Sequence, residues 1–559
     1  MKYTLLMTLL APALLAGCNL EKKEEPFQAR HIRAGYDAGQ VCQQLRQGWQ
    51  EDGIAIPASQ VSCHYLTVPL DYDKEWVQIK ETKWEKGSTS RTGSGFFSGD
   101  SRHFSSWSDK PVRPHVKQET RTVKGDTLDI FYLHYRASGD YRGTLFYNPG
   151  GPTSATPDLG LLLDLLRSAN PAILEHYDIV TLDPRGAGYS ALGHELRSCL
   201  LTDKQGVRPD MTPAQLAQLF ASRDKGALPA LQSGADQGKA FSTALLERCD
   251  EPLRLHAPHL GSRAVVEDME RLRQHLGRER ITPITFSYGT RLGALYAARY
   301  PSHVANLVVD SPMSPAENRY PAIFRGDAEN ANRILAWRFG DQALQRSMAV
   351  TRQVRDDGRY VDNQGNVLDR DRWEAVMSDA ISGSRRDDQL AFWLQDDVGP
   401  LLARLADQAD DNPYQELQEM PFFSAIHCTD NSEPYGWQAL DPEDAAFQGA
   451  GALLLANSFN TCADWPYPRQ PIASYGAGEI KLPDDARALV LGAEYDPNTP
   501  FAGARQMQAA FGSAARLVQV AQSNQHGQLS SSRCAQAALS TLLLGDGASL
   551  PAEQRCLAD

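Results

Sequence analysis

Long apolar runs are missing from this chain. Beyond its N-terminus nothing approaches eighteen unbroken apolar residues, so no membrane-spanning helix is expected. Positive charge is also in short supply. Lys and Arg number 56 against 69 Asp and Glu, a formal net charge of −13. Binding a phosphate backbone needs a basic footprint, so a nucleic-acid partner is excluded. Metal-ligand spacing is absent too. Nine cysteines and thirteen histidines form no C-x-x-C or H-x-x-x-H pattern, so neither a metal site nor a cofactor is expected. There is no internal repeat.

What the chain does have is length. Its 559 residues, 42% of them hydrophobic, suffice for a large core and exceed one minimal domain. Lys2 precedes an apolar stretch from Leu5 to Leu15, too short to span a bilayer and shaped like the core of a signal peptide. It ends in Leu15-Ala-Gly-Cys18, which resembles a bacterial lipobox. On that reading residues 1–18 are a lipoprotein signal and Cys18 carries lipid. The protein is then exported and anchored to a membrane of the bacterial cell envelope. The alternative is an ordinary secretory signal with an incidental Cys. The eight remaining cysteines suit disulfides in such a compartment. Of their 105 connectivities the simplest pairs sequence neighbours: Cys42–Cys63, Cys199–Cys249, Cys428–Cys462 and Cys534–Cys556.

The most informative stretch is Ile281-Thr-Pro-Ile-Thr-Phe-Ser-Tyr-Gly-Thr-Arg-Leu-Gly293. A β-prone run leads into Ser287, and a helix of small residues follows. Strand, tight turn and helix with Ser at the apex is the nucleophile-elbow pattern, in which the hydroxyl is lifted clear of the sheet. Thr285 stands where G-x-S-x-G has its first Gly. Leu145-Phe-Tyr-Asn-Pro-Gly-Gly-Pro152 is a second strand with a Gly-rich turn, the place from which an oxyanion donor comes. Pro149 and Pro152 have no N–H, which leaves Gly150, Gly151 or Thr153. Gly151 is preferred, with the Tyr288 N–H as the second donor. Later, Ala488-Leu-Val-Leu-Gly-Ala-Glu-Tyr-Asp496 places an acid just past a strand, and His526-Gly527 follows the run Arg516-Leu-Val-Gln-Val-Ala521. The order Ser287, Asp496, His526 matches that of α/β-hydrolases. Asp310, also just past a strand, is a rival acid. His427, beside Cys428, is a rival base, read as a satisfied structural His.

With these motifs in view, the chain resembles the tripeptidyl aminopeptidase and prolyl iminopeptidase-like α/β-hydrolases. The resemblance rests on Val68-Pro-Leu-Asp-Tyr72, Asn148-Pro-Gly-Gly-Pro152, Asp183-Pro-Arg-Gly186, Ser287-Tyr-Gly-Thr290, Asp496-Pro-Asn-Thr-Pro500 and His526-Gly527, from about residue 40 to the C-terminus. It departs at Thr285, and at Thr153, where Gly is usual. It implies an α/β-hydrolase fold, and the pattern agrees. Strands alternate with helical spacing such as Val265, Val266, Met269, Leu272 and Leu276, as in a mostly parallel sheet flanked by helices. Ile323, Ile334, Leu335, Trp337, Phe339 and Leu344 give helical spacing where a lid over the site is expected. The resemblance also implies an aminopeptidase acting on peptides with a free N-terminus. An esterase on the same triad, and a catalytically degenerate binding lipoprotein, are the alternatives.

The organisation expected is a tether and N-terminal segment (19–72), a polar and mobile insertion (73–124), the first part of the core (125–313), the lid (314–475) and the second part of the core (476–559). The insertion is basic within an acidic chain. Asp183 is read as structural, tying its turn through Arg185 and Gly186. Among the lid acids, Glu317, Asp327, Glu329, Asp430 and Glu433 are candidates to meet a substrate ammonium group.

Overall fold

The computed structural model describes residues 30–54, 56–73, 80–85, 115–120, 125–199, 243, 245–383, 387–407, 413–434, 440, 441, 443–453 and 462–559. Cys18 and the leader lie outside them, as does most of 73–124. The chain divides into two compact units. One comprises residues 1–30 and 74–125, the other residues 31–73 and 126–559.

The strands of the larger unit begin with β1 (His31–Ile32) and β2 (Val61–Pro69). In the smaller unit, β3 (Lys80–Glu85) and β4 (His115–Thr120) pair antiparallel, so the segment expected to be a mobile insertion contains a paired hairpin. The larger unit continues with β5 (Thr127–Tyr135), β6 (Gly143–Asn148), β7 (Tyr177–Leu182), β8 (Thr282–Phe286) and β9 (Leu307–Asp310). After the short hairpin β10 (Arg359–Val361) and β11 (Val367–Asp369) come β12 (Ala488–Ala493), β13 (Ala515–Ala521) and β14 (Glu553–Leu557).

Ten of these strands form one sheet in the order β1-β5-β7-β6-β8-β9-β12-β13-β14, with β2 also paired to β5. From β7 to β14 every pairing is parallel. β5 runs antiparallel to β7 and to β2. The central strands Tyr177–Leu182, Leu307–Asp310 and Ala488–Ala493 are buried at every position. Near-continuous apolar runs of this kind belong to strands covered on both faces, which is why the sheet is parallel there and flanked by helices. Two apolar clusters lie on the two faces. One gathers Val265, Met269, Leu272, Tyr296 and Ala297, and the other Leu159, Leu163, Leu166, Leu539 and Leu543. The amphipathic spacing of Val265, Met269 and Leu272 corresponds to the helix Ser262–His275.

The sequence reading had no strand for β1, β2 or β14. β2 pairs along its whole length with β5, and β14 closes the far edge after the helix Arg533–Leu544. The stretch between β9 and β12 is mainly helical, with Tyr320–Phe339, Asp341–Asp357, Arg370–Ser382 and Pro413–Asp430 as its main helices. It has its own core around Trp373, Phe392 and Trp393. The hairpin β10–β11 interrupts it, a detail that helical periodicity did not foreshadow.

The eight cysteines pair as sequence neighbours: Cys42–Cys63, Cys199–Cys249, Cys428–Cys462 and Cys534–Cys556. The leading motif Val68–Tyr72 also acquires a purpose. Arg185, fully buried, forms a two-point ion pair with Asp268, at 2.6 and 2.7 Å. It also donates to the carbonyls of Pro69, Leu70 and His259, while the Tyr72 hydroxyl donates to Asp268. Charges this deep are tolerated because each is paired and hydrogen-bonded. Arg185 therefore does not serve Asp183, as the sequence reading had it; Asp268 is its partner. Among the described residues no helix is long and apolar enough to cross a membrane.

Candidate active site

Ser287 sits at the junction of β8 and the helix Gly289–Arg299, with φ of +51°. A non-glycine residue in the left-handed region stores roughly 1–3 kcal/mol of strain, which the surroundings must hold in place. They do so from both sides. The Ser287 N–H donates to the Asp310 carbonyl at 3.0 Å, and the Ser287 carbonyl accepts from the N–H and the hydroxyl of Thr290. The Tyr288 N–H stands ahead of the first helical turn, where no intrahelical acceptor exists.

The Thr285 departure is accommodated by another glycine. Thr285 is fully buried, and its hydroxyl donates to the Val308 carbonyl on β9 at 3.1 Å. A Cβ on Gly293 would lie 2.9 Å from that hydroxyl oxygen. The space usually left by the first Gly of the motif is left instead by a glycine on the helix. The close strand–helix approach survives, and with it goes the motive for a degenerate elbow.

The Gly-rich turn after β6 presses against this elbow. A Cβ on Gly150 would meet the Phe286 carbonyl oxygen at 2.7 Å and Ser287 Cβ at 2.8 Å, so only glycine fits there. The Gly150 N–H donates to Asn148 Oδ1, which leaves Gly151 as the turn's glycine facing the cavity with Ser287 and Tyr288. Asp183 shapes this turn. Fully buried, it accepts from the Ser154 hydroxyl, the Ala155, Thr156 and Tyr189 N–H groups and the Thr156 hydroxyl. Burial pushes its carboxyl pKa up, and these bonds oppose the rise. It is structural, as expected, but through Ser154–Thr156.

Asp496 and His526 come together. His526 Nδ1 lies 2.9 and 3.0 Å from the two oxygens of fully buried Asp496. Asp496 also accepts from the N–H groups of Asn498 and Thr499 and from the Thr499 hydroxyl. Burial works against a charged imidazole at His526. The bond to Asp496 and the carboxylates of Asp496 and Asp310 outweigh it and leave the pKa above the ordinary value. No hydrogen bond joins Ser287 to His526 in this structure, a gap that is common in unliganded sites.

Asp310 is not the partner of His526. Its carboxyl accepts the N–H groups of Gln528 and Leu529, each at 2.8 Å, and burial pushes its pKa up to about 6. His427 is buried, but it is not a satisfied structural His. Neither ring nitrogen has a hydrogen-bond partner among the described residues, and the ring packs against Tyr288, Tyr320 and Phe423. Burial holds its pKa well below the ordinary value, with the Arg291 charge adding to this.

A cavity of about 450 Å³ opens above Ser287. Gly151, Tyr288, Met313, Ile323, Phe423 and Pro500 contribute to its wall, with Asp327 and Glu317 as its carboxyls. Glu317 is bonded to Arg319, Glu329 to Arg325, and Asp430 to Ser262. Glu433 lines another cavity. Asp327 alone of the five candidates borders the Ser287 cavity with no partner among the described residues. Burial, then the charge of Asp496, pushes its pKa up to about 8.

The sequence reading missed what docks the helix Tyr320–Phe339 beside Asp496. On the helix Tyr320–Phe339, Asn330 donates to the Asp496 carbonyl at 2.7 Å and Arg333 to the Glu494 carbonyl. Trp337 stacks on Tyr495 with ring centroids 4.1 Å apart. The helical spacing of Trp337 was visible, but its partner 158 positions away was not.

Residues 143–531 match the alpha/beta hydrolase fold family. The chain is similar to a tripeptidyl aminopeptidase of Streptomyces coelicolor, 25% identical over 424 residues that cover 69% of this chain and 71% of that one. It is likewise similar to the serine protease Hip1 of Mycobacterium tuberculosis, 25% identical over 413 residues, 67% and 74% of the two chains. A third relative, carboxylesterase B of Mycobacterium tuberculosis, is 26% identical over 420 residues, 67% and 73%.

The pair Thr285–Gly293 makes a direct test of the elbow. Helix propensity alone would make Gly293→Ala stabilising by about 1 kcal/mol. The clash with Thr285 should reverse the sign and destabilise by about 1–3 kcal/mol in urea unfolding. Adding Thr285→Ala should recover part of the loss, a positive coupling between the two sites. A stabilised Gly293→Ala variant would show that the strand–helix approach leaves room for a Cβ and would overturn this account of Thr285.

Proposed function

The chain belongs to the alpha/beta hydrolase fold family, and from that premise we propose that it is a serine hydrolase acting by acyl transfer, of aminopeptidase type. The carrying observation is the Asp496–His526 hydrogen bond, in a site where Asp310 ties the His526 loop to the Ser287 elbow. In this reading Ser287 Oγ attacks the substrate carbonyl carbon and His526 Nε2 takes its proton. Asp496 holds the imidazole in the tautomer with Nδ1 protonated and stabilises the cation that forms. The Gly151 and Tyr288 N–H groups receive the oxyanion. The intermediate collapses, His526 gives the proton to the leaving amine, and water repeats the sequence to free the acyl group.

Relatives named aminopeptidase and serine protease support a peptide substrate. The free N-terminus is supported by Asp327. A half-buried carboxyl that lines the Ser287 cavity with its pKa pushed up to about 8 is poorly solvated, and an ammonium group is the ligand that would draw it into its charged form. An esterase on the same triad is the second reading, favoured by the apolar cavity wall and by the relative named carboxylesterase B. We also propose that Cys18 is lipidated and anchors the chain to the cell envelope, as its lipobox-like sequence suggests.

Three experiments test these statements. Ser287→Ala should abolish turnover, and Asp496→Asn should cost roughly three to four orders of magnitude in kcat, far more than Asp310→Asn. In the wild type the acidic limb of kcat/KM should fall above pH 6.5, because His526 must be neutral and its pKa is raised. A reversed ranking of the two acids would move the role of Asp496 to Asp310.

The second concerns the substrate end. N-terminal acetylation of a good peptide should cost roughly 2–4 kcal/mol in kcat/KM. Asp327→Asn should impose a similar loss on free-amine peptides and none on acetylated ones or on acyl esters. Equal cleavage of free and acetylated peptides would replace the exopeptidase reading with the esterase.

The third is fractionation. Cys18→Ser should release the protein from membranes, and mass spectrometry of the wild type should find lipid on its first mature residue. An unmodified mature N-terminus would remove the anchor.

A further inference from the structure

The last turn of the lid helix Pro413–Asp430 reaches the residue that follows the nucleophile. Asp430 Oδ1 accepts the Ser262 N–H at 2.8 Å, and Oδ2 accepts the Ser262 hydroxyl at 2.5 Å. Ser262 Oγ in turn lies 2.5 Å from the Tyr288 hydroxyl. A serine hydroxyl has one proton, and here it goes to Asp430, so Tyr288 is the donor in the second bond. The chain Tyr288–Ser262–Asp430 is buried throughout, with no member more than 2% exposed.

Asp430 also caps a core helix from the lid. Ser262 opens the helix Ser262–His275, whose first N–H groups have no helical acceptor. Burial pushes the Asp430 pKa up to about 6, while the Ser262 bonds and the Arg291 charge oppose the rise. At neutral pH it is therefore a carboxylate able to accept both bonds. His427, one turn earlier, sets its ring edgewise against Tyr288. Cys428 is bridged to Cys462, and the Thr429 hydroxyl donates to the Ala257 carbonyl. Within this one turn His427, Thr429 and Asp430 each touch the core, while Cys428 is bridged within the lid.

Two functions are open to such a chain. Buried phenol, hydroxyl and carboxylate groups each need a partner, and the chain could do no more than supply them. But Tyr288 also lines the cavity with Ser287, and in the serine-hydrolase reading its N–H is one of the two oxyanion donors. Its backbone follows a strained residue, and its ring is held at the tip and along one edge. Holding the ring limits how far the Tyr288 Cα can shift, and so restrains the position of the N–H attached to it. An oxyanion donor acts over a narrow range of position, so restraining that N–H has a kinetic consequence.

We propose that Asp430 and Ser262 are positioning residues of the acyl-transfer step, holding Tyr288, and through it the oxyanion-binding N–H, from the lid side. This rests on the serine-hydrolase reading of Ser287 and Tyr288. It adds that the lid helps to assemble the transition-state site besides covering it.

The test compares Tyr288→Phe, Ser262→Ala and their double variant, with Asp430→Asn as a third point and Thr429→Val as a packing control. Each is assayed on a p-nitrophenyl acyl ester and on a free-amine peptide, with thermal unfolding alongside. Tyr288→Phe and Ser262→Ala should each lower kcat roughly tenfold on both substrates and leave KM within about twofold, because only the transition state is affected. The double variant should lose no more than either single, since both cut one chain. Thr429→Val should lower the unfolding temperature without lowering kcat. Wild-type kcat in Tyr288→Phe and Ser262→Ala, a loss confined to KM, or fully additive losses would overturn the proposal. Tyr288→Phe removes one atom, so the comparison stands even where Asp430→Asn does not fold. A wild type whose turnover survives Ser287→Ala fails the serine-hydrolase reading instead. A wild type that turns over the ester but not the peptide fails only the peptidase reading and leaves this comparison intact.

Discussion

The site depends first on Asp310. It ends β9 beside Phe286, its register partner on β8, and it is fully buried. Its backbone carbonyl holds the Ser287 N–H, and its carboxyl holds the N–H groups of Gln528 and Leu529, just past His526. The neighbouring Ser311 hydroxyl accepts the Gly527 N–H at 2.8 Å. Ser287 and His526 are 239 positions apart in sequence, and these bonds bring their loops to one place. Desolvation works against this, since a buried carboxyl resists ionisation and Asp310 has its pKa near 6. The sign is the reverse of a salt-bridged acid. The charged form becomes costly to the fold as pH rises from the ordinary carboxylate range to about 6, and the cost is constant above that.

A second group of bonds serves the lid. The helix Tyr320–Phe339 docks on the acid loop through Asn330, Arg333 and Trp337. The end of Pro413–Asp430 docks on the elbow through Asp430 and His427. Both contacts end beside groups assigned to the chemistry, one at Asp496 and the other at Tyr288. The helical segment is thus tied to the two ends of the site.

Legibility in the sequence follows from how local each feature is. The elbow is a run of thirteen residues with its own strand–turn–helix chemistry, so Ser287 stood out. The strands behind Asp496 and His526 are short apolar runs with a polar residue just past each, which made the pair Asp496 and His526 readable. Neighbouring cysteines paired as expected. What stayed hidden was carried by side chains meeting across long separations. Asp268 with Arg185, Asn330 with the Asp496 carbonyl, and Asp430 with Ser262 leave no periodicity and no spacing to find. Asp310 could be seen as an acid past a strand, but its task could not, because its partners are backbone N–H groups of a distant loop. β2 and β14 were missed because edge strands lack the two-sided burial that marks the central ones.

Thr285 shows how far a motif can be trusted once its cause is known. The first glycine of G-x-S-x-G exists to let a helix approach a strand. That demand concerns the gap between them and not the residue on one side of it. Here the side chain is on the strand, bonded to the Val308 carbonyl, and the missing one is on the helix at Gly293. Read as a pattern, the chain is one residue short. Read as a distance, the condition is met, because the volume added on one face is withdrawn from the other. The same reasoning applies to the oxyanion turn. Gly150 is required because its Cβ would strike Phe286 and Ser287, whereas Gly151 is placed by the turn that Gly150 permits and Asp183 holds. In both places a glycine on one segment is imposed by the approach of another. The elbow and the turn that faces it are therefore a single packing unit, and neither can change without the other.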